Sequence, residues 1–315
     1  MTEEKFNMFR NRLQKVARHI NRQAGRQQIS CYRIYDHDLP EFPFCIDRYG
    51  QALYVAEYRR RHALDETEYE TWLEGSLDII SEVLGVPREM IFLKERRRKE
   101  GREGQYQKTA AAHHDFVVEE AGLRFRVNLS DYLDTGLFPD HRITRAMVRE
   151  EAAGKKMLNL FCYTGAFSVY AAAGGAAEVT SVDLSNTYLR WAEDNMQLNG
   201  LLDPRRHHFI RADVKQYLAS LRPGMFDLAV MDPPTFSNSK SMKDFLDIQR
   251  DHVTLLNQVL RAMRPGGVLY FSTNSRKFQL DALQIRARAI RDITAATTPF
   301  DFRKKLFRWC YRLEA

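Results

Sequence analysis

A chain of 315 residues with 44% hydrophobic and 28% charged residues has an ordinary globular balance and room for two cores, which excludes a disordered or fibrous protein. Its net charge of +7 favours a polyanionic partner, while four scattered cysteines (Cys31, Cys45, Cys162, Cys310), with no C-x-x-C pair or paired-histidine spacing, argue against a disulfide framework or a metal site. No apolar run approaches the roughly 20 residues needed to cross a bilayer, and the N-terminal residues lack a signal-peptide core, so the sequence reads as cytoplasmic, without a membrane partner.

Apolar Phe6, Phe9, Leu13, Val16 and Ile20 recur three and four apart among arginines, which predicts an amphipathic packing helix. Strands are expected at 31–35, 44–47 and 53–58, with Asp47-Arg48-Tyr49-Gly50 as a turn. A helix follows at 67–84, stopped by Gly85 and Pro87. Strands near 90–94, 116–118 and 123–127 bracket a basic segment containing Lys94, Arg96, Arg97, Arg98, Lys99, Arg102, Tyr106 and Lys108. Cations that bind phosphate beside a ring that can stack a base read as an RNA finger. The plainer alternative is a solvated hairpin tip, its field weakened by Glu95, Glu100 and Glu103. Adjacent His113 and His114 point different ways in a strand and make no metal pair.

Beyond about residue 130 strand and helix alternate. Strands are expected at 157–161, 179–182, 208–211, 226–231 and 268–272, and helices at 166–173 and 186–198. Two terminal strands, 293–296 and 308–313, would form an antiparallel hairpin through the loop with Pro299. The alternation predicts an α/β fold of Rossmann-like type, a mostly parallel seven-stranded sheet with that hairpin at one side. Residues 1–129 are therefore read as an N-terminal helix with a small α/β RNA-binding domain, and 130–315 as the catalytic domain.

The most informative stretch is Leu158-Asn159-Leu160-Phe161-Cys162-Tyr163-Thr164-Gly165-Ala166-Phe167, a strand, a loop with one glycine and the start of a helix. Asp183 ends the next strand, where an acid can accept from both ribose hydroxyls of a nucleoside. Dinucleotide binding would want G-x-G-x-x-G, so that a pyrophosphate can approach the backbone. S-adenosylmethionine has no phosphate, and a looser loop suffices. Asn159, Phe161, Tyr163, Thr164, Gly165 and Asp183 are the candidate cofactor residues, with Asp213 placed to accept from the adenine amino group. Otherwise both acids merely cap the helices that follow. Cys162 reads as a buried filler.

The fourth strand runs into Asp232-Pro233-Pro234-Thr235-Phe236. Prolines stiffen the loop and free carbonyls, an acid can accept from base N–H groups, and a phenyl ring can stack on a planar base. Asp232, Pro233, Pro234 and Phe236 are thus the candidate catalytic residues. The alternative is a rigid loop whose Asp232 caps a helix near Ser241.

Three strings carry a resemblance: Asp232-Pro-Pro-Thr-Phe-Ser-Asn-Ser-Lys240, Leu158-Asn-Leu-Phe-Cys-Tyr-Thr-Gly165 and Tyr132-Leu-Asp-Thr-Gly-Leu-Phe-Pro-Asp-His-Arg142. With Gln249-Arg-Asp-His252 and Phe44-Cys-Ile-Asp-Arg-Tyr-Gly50, they resemble the RlmK family of 23S ribosomal RNA guanine-N7 methyltransferases over nearly the whole chain. The resemblance implies a class I methyltransferase fold behind a small α/β domain, S-adenosylmethionine as cofactor, and 23S RNA or its assembly precursor as partner. It also places Arg142, with Asp140 and Arg145, near the active-site mouth, Arg142 as a phosphate or substrate contact; otherwise these three form a surface capping network. The half of the fused family members that carries an RNA-binding THUMP domain and a second methyltransferase is not in this sequence.

Cytosine-C5 transfer needs a cysteine nucleophile. None stands in 232–240 or in Phe271-Ser-Thr-Asn-Ser275, where Asn274 takes the expected position. Guanine N7 offers a free lone pair and needs no base. Transfer to an exocyclic amine, guanine N2 or adenine N6, is the alternative acceptor. A non-catalytic ribosome-assembly factor and a small-molecule methyltransferase are the rival classes. Oligomeric state is not legible.

Overall fold

The computed structural model describes residues 2–58, 65–95, 115–132, 134–237, 245–303 and 308–315. Arg96, Arg97, Arg98, Lys99, Arg102, Tyr106 and Lys108 of the expected RNA finger lie outside the described residues. The chain divides into two compact units, Met1–Gly122 with Val127–Thr135, and Leu123–Arg126 with Gly136–Ala315.

The first unit opens with α1 (Glu3–Arg26), whose apolar stripe buries Phe9, Leu13, Ala17 and Ala24. β1 (Cys31–Asp36), β2 (Phe44–Tyr49) and β3 (Ala52–Glu57) pair antiparallel in that order. The turn expected at 47–50 begins later, at Gly50, because Asp47 is held in the ladder by the guanidinium of its cross-strand partner Arg33. α2 (Glu66–Leu84) crosses over to β4 (Ile91–Glu95), which lies parallel to β3. A reciprocal capping box between Asp65 and Glu68 starts α2, and left-handed Gly85 ends it. Aromatic stacking fills the space between helices and sheet, Phe9 on Phe42 at 4.3 Å and Phe44 on Trp72 at 5.3 Å. β5 (Asp115–Glu120) ends at the positive-φ turn Ala121-Gly122, after which β6 (Leu123–Asn128) begins with residues of the second unit.

In the second unit α3 (Arg142–Glu151), β7 (Lys156–Leu160), α4 (Ala166–Ala173), β8 (Glu178–Asp183), α5 (Asn186–Leu198), β9 (His207–Arg211), α6 (Val214–Ser220) and β10 (Phe226–Met231) alternate. There follow β11 (Phe236–Ser237), β12 (Leu246–Asp247), α7 (Ile248–Ala262), β13 (Met263–Thr273), β14 (Ala289–Asp292), α8 (Thr294–Thr297) and β15 (Trp309–Glu314). The seven-stranded sheet has the order β14-β15-β13-β10-β7-β8-β9, and β15 alone runs against its neighbours. This is the Rossmann-like class I methyltransferase arrangement. Leu158, Leu160, Ala229, Met231, Leu269 and Phe271 bury one sheet face in a cluster with Leu255, Leu256 and Val259 of α7.

One expectation needs correction. The strand placed at 293–296 lies earlier, at Ala289–Asp292, because the Asp292 carboxylate accepts from the Thr294 amide at 2.8 Å and starts a short helix. The position near Ser241 where Asp232 would cap a helix lies outside the described residues; the described helix that follows, α7, is capped by Asp247, which accepts from the amides of Gln249 and Arg250.

Strand order reverses between β7 and β10. A cleft opens at such a switch point, outside the carboxyl ends of the strands.

Candidate active site

The loop after β7 is shaped by three left-handed residues, Phe161 (φ 55), Tyr163 (φ 49) and Gly165 (φ 73). Phe and Tyr in this region cost on the order of 1–3 kcal/mol each unless the surroundings hold them there. The holding bonds are Cys162 N–H to Val182 O (3.0 Å), Gly165 N–H to Cys162 O (2.8 Å) and Tyr163 N–H to Asp183 Oδ2 (3.0 Å). Gly165 also has a packing reason. A Cβ there would lie 2.5 Å from Ala192 Cβ, so glycine lets α5 approach the loop.

Asn159 and Thr164 sit inside the framework. The Asn159 amide donates to Ser168 Oγ at 2.8 Å, and that hydroxyl meets Ser181 Oγ at 2.8 Å, tying β7, α4 and β8 together below the loop. Thr164 is fully buried and donates to Gly136 O at 2.5 Å, while Asn195 donates to its carbonyl. Their surroundings favour shaping the loop over touching a ligand. The Tyr163 ring packs edge-on against Tyr188 at 4.6 Å.

Asp183 ends β8 with each oxygen on a backbone amide, Oδ2 on Tyr163 and Oδ1 on Ser185 at 2.9 Å. Burial raises its pKa, against the lowering effect of these bonds. A carboxylate has about four lone-pair sites, and the amides of Tyr163, Ser185 and Leu184 leave room for a further donor such as a hydroxyl of a vicinal diol. This acceptor fits the ribose hydroxyls of S-adenosylmethionine. Asp213 does act as a cap, accepting from the Lys215 amide at 2.8 Å through Oδ1.

Asp232 follows β10 and is half-buried. The Ser272 hydroxyl on neighbouring β13 donates to its Oδ1, and His141 Nε2 stands 3.4 Å from Oδ2. Pro233, next in the chain, is buried. Phe236 lies on β11, paired to β12, its ring 5.6 Å from Phe245, over which the Arg250 guanidinium sits at 4.1 Å. Thr235 donates to Asn274 Oδ1, which puts Asn274 beside this loop.

The fold also brings in a cysteine that chain position hides. Cys310 on β15 is the register partner of Ser272. It is fully buried, and burial pushes its thiol up to about 11, so it has no thiolate to attack a pyrimidine. Cys162 is likewise buried and pushed up.

Arg142 is no surface cation. It is 7% exposed and forks onto Asp301, with Nη1 at 3.2 Å from Oδ2 and Nη2 on Oδ1, and it also donates to Pro139 O. Arg145, 2% exposed, donates to Phe138 O, and Arg308 donates to Asp140 O at 2.7 Å. The expected mouth residues are therefore a buried brace around the segment that carries His141. His141 and Ser272 were missed as site residues. His141 stands in the quoted Tyr132–Arg142 string, but nothing in its spacing points to Asp232.

A parallel sheet with a reversed penultimate strand, a left-handed loop after the first strand and an acid after the second define a class I methyltransferase. The model of the S-adenosylmethionine-dependent methyltransferase family matches residues 88–295. The chain belongs to that family, and within it to the group of the ribosomal RNA large subunit methyltransferase K. The protein of that name from Neisseria meningitidis serogroup B is 50% identical over 307 residues, covering 97% of this chain and 86% of that one. Ribosomal RNA large subunit methyltransferase K/L of Magnetococcus marinus is 46% identical over 316 residues, and there the match spans 99% of this chain but only 44% of the relative. Among solved structures, SMU.776 complexed with SAH superposes with a TM-score of 0.74 at 23% identity over 97% of this chain and 82% of that one. The SAM-dependent methyltransferase of Agrobacterium tumefaciens superposes with a TM-score of 0.62 at 20% identity, covering 90% of each chain. At these identities the two structures speak for the fold.

Proposed function

We propose that this chain transfers a methyl group from S-adenosylmethionine to N7 of a guanine in large-subunit ribosomal RNA. The observation that carries the reading is the Asp232 carboxylate, held by Ser272 with His141 alongside at the carboxyl end of β10. Bound at the β7 and β8 loops, the cofactor supplies an electrophilic methyl group. Asp183 accepts from the ribose hydroxyls, and Asp213 from the adenine amino group through the oxygen that does not cap α6. Asp232 accepts from the N–H edge of the guanine, and Phe236 stacks on its face.

N7 has a lone pair and no proton, so the residues are asked for position and charge and not for proton transfer. Positive charge grows on the imidazole ring of the base, and an anionic Asp232 stabilises it. The names of the relatives support large-subunit ribosomal RNA as substrate, as does the net charge of +7. No helix among the described residues is long and apolar enough to cross a membrane.

The test incubates the protein and labelled S-adenosylmethionine with protein-free 23S RNA and with precursor particles. Borohydride and aniline then cleave the RNA at 7-methylguanine. Label with strand scission supports the reading. Label without scission moves the acceptor to an exocyclic amine or another atom, and no label on either substrate removes the activity.

A further inference from the structure

The first unit contains a cluster of side chains that the methyl-transfer reading does not use. Asp36 and Cys45 are register partners at the loop end of the β1–β2 hairpin. His37 follows Asp36 with a left-handed backbone (φ 51), and its amide donates to Phe44 O at 2.8 Å, which turns the imidazole back over the pair. Three atoms converge: His37 Nδ1 to Asp36 Oδ1 is 2.7 Å, Cys45 Sγ to Asp36 Oδ1 is 3.2 Å, and Cys45 Sγ to His37 Nδ1 is 3.3 Å. Cys45 is 3% exposed, and the ring edge of His37 meets Tyr58 at 4.6 Å.

We infer that Asp36, His37 and Cys45 form a binding site for a zinc-class divalent cation, with the carboxylate, imidazole and thiolate as ligands. The donor set is the reason. A tetrahedral zinc ion with bonds of about 2.0–2.3 Å to nitrogen, oxygen and sulfur separates its ligand atoms by roughly 3.3–3.6 Å. The two sulfur contacts fall a few tenths short of that and the nitrogen–oxygen contact about 0.6 Å short, differences that side-chain rotations cover without moving the hairpin. Thiolate and imidazole together select zinc, or cobalt as its probe, over calcium and magnesium, which take oxygen. Three protein ligands leave the fourth position to water. Arg33 Nη1 lies 3.2 Å from the other oxygen, Asp36 Oδ2, so Oδ1 is the one the cation would share. The Arg33 charge is already matched by its paired bonds to Asp47, at 2.7 and 3.0 Å.

On binding, the Cys45 S–H bond breaks, the sulfur pair goes to the metal and the proton leaves to solvent. Affinity therefore falls as pH is lowered. The site would pin the 37–43 loop of the hairpin. A hydrogen-bonded hairpin corner with no metal is the competing reading, and binding separates the two.

The whole chain, stripped with a chelator, is titrated with Co2+ and read by absorbance, then with Zn2+ in competition with a chromophoric chelator. The expected result is one equivalent bound with a sulfur-to-cobalt charge-transfer band. Cys45→Ser should abolish the band, and His37→Gln should weaken zinc on the order of 10–100-fold. Cys31→Ser, as a control on the same hairpin, should keep both signals. Circular dichroism checks that each variant is folded, and His37→Gln carries the test if Cys45→Ser is not. Absence of saturable uptake at equimolar metal overturns the site, as does a thiolate band that survives in folded Cys45→Ser.

Discussion

The Nε2 atom of His141 stands 3.4 Å from Oδ2 of Asp232, and burial lowers the imidazole pKa, so a neutral ring meets a carboxylate whose charge it does not cancel. The Asp232 carboxylate thus faces the charge that grows on a methylated guanine with no cation supplied by His141. Asp232→Ala should lower kcat about 10²–10³-fold, the scale of losing one preorganised electrostatic group, with little change in cofactor affinity. Single-turnover rates beside a cofactor titration measure both. A buried histidine with a depressed pKa contributes stability above its unfolded value of about 6.5, and that contribution is lost as pH falls below it. His141→Gln should flatten the denaturation midpoint over that pH range.

Asp183 should govern cofactor binding and leave RNA binding alone. Asp183→Asn keeps the shape but halves the acceptor capacity, and calorimetry should show a cofactor loss of about 1.5–3 kcal/mol, the worth of hydrogen bonds to a charged group. Burial raises this carboxyl, so in the native protein affinity should fade on acidification at a higher pH than for an exposed aspartate. An affinity flat with pH down to the ordinary carboxylate range would disprove the ribose role.

Gly165→Ala adds a Cβ 2.5 Å from Ala192 at a φ of +73. Overpacking of this kind costs about 1–3 kcal/mol, before the backbone strain is added. Chemical denaturation should show that loss, together with weaker cofactor binding, since the loop or α5 must move. Gly200 is also left-handed (φ +66) but has open space around it, so Gly200→Ala should show the strain alone.

Arg142→Ala takes the forked guanidinium away from the fully buried Asp301 carboxylate and should destabilise the fold by about 3–5 kcal/mol, the scale of breaking a buried ion pair. RNA affinity per folded molecule should be unchanged, because the guanidinium is an internal brace. A large RNA defect in a protein of normal stability would restore Arg142 to the substrate surface.

Charge reversal at Arg96, Arg97, Arg98, Lys99, Arg102 and Lys108 should weaken RNA binding. It should also flatten the salt dependence by about 0.7–0.9 in slope for each phosphate that is no longer neutralised. Filter binding at several salt concentrations tests this, and wild-type affinity and slope would take the finger out of RNA recognition.

The candidate site was legible in the sequence where chemistry lies within one loop. Phe161 to Gly165, Asp183 and the Asp232-Pro233-Pro234 corner are strand ends, and buried apolar strands announce their ends by composition. The roles inside those loops were less legible. Asn159 and Thr164 look like ligand residues in a motif, yet their partners Ser168, Ser181 and Gly136 make them framework. The end of the sheet was misplaced because residues 289–296 pattern equally well as either of two short strands, and one side-chain turn at Asp292, accepting from the Thr294 amide, settles the choice.

By itself the sequence determined the alternation of strand and helix, the loop and acid that suit a nucleoside without phosphate, and the stiff acidic corner after the fourth strand. These depend on neighbours a few residues apart, which periodicity and turn chemistry encode directly. Only the tertiary structure decided that Arg142 faces Asp301 across 159 positions of chain, that Ser272 and His141 hold Asp232, and that Cys310 lies buried opposite Ser272. Likewise, the carboxylate, imidazole and thiol of Asp36, His37 and Cys45 meet only once the hairpin is in register. Such pairs form because sheet order and loop closure bring distant segments together, and no spacing along the chain records that a side chain eight or a hundred residues away will share its pocket.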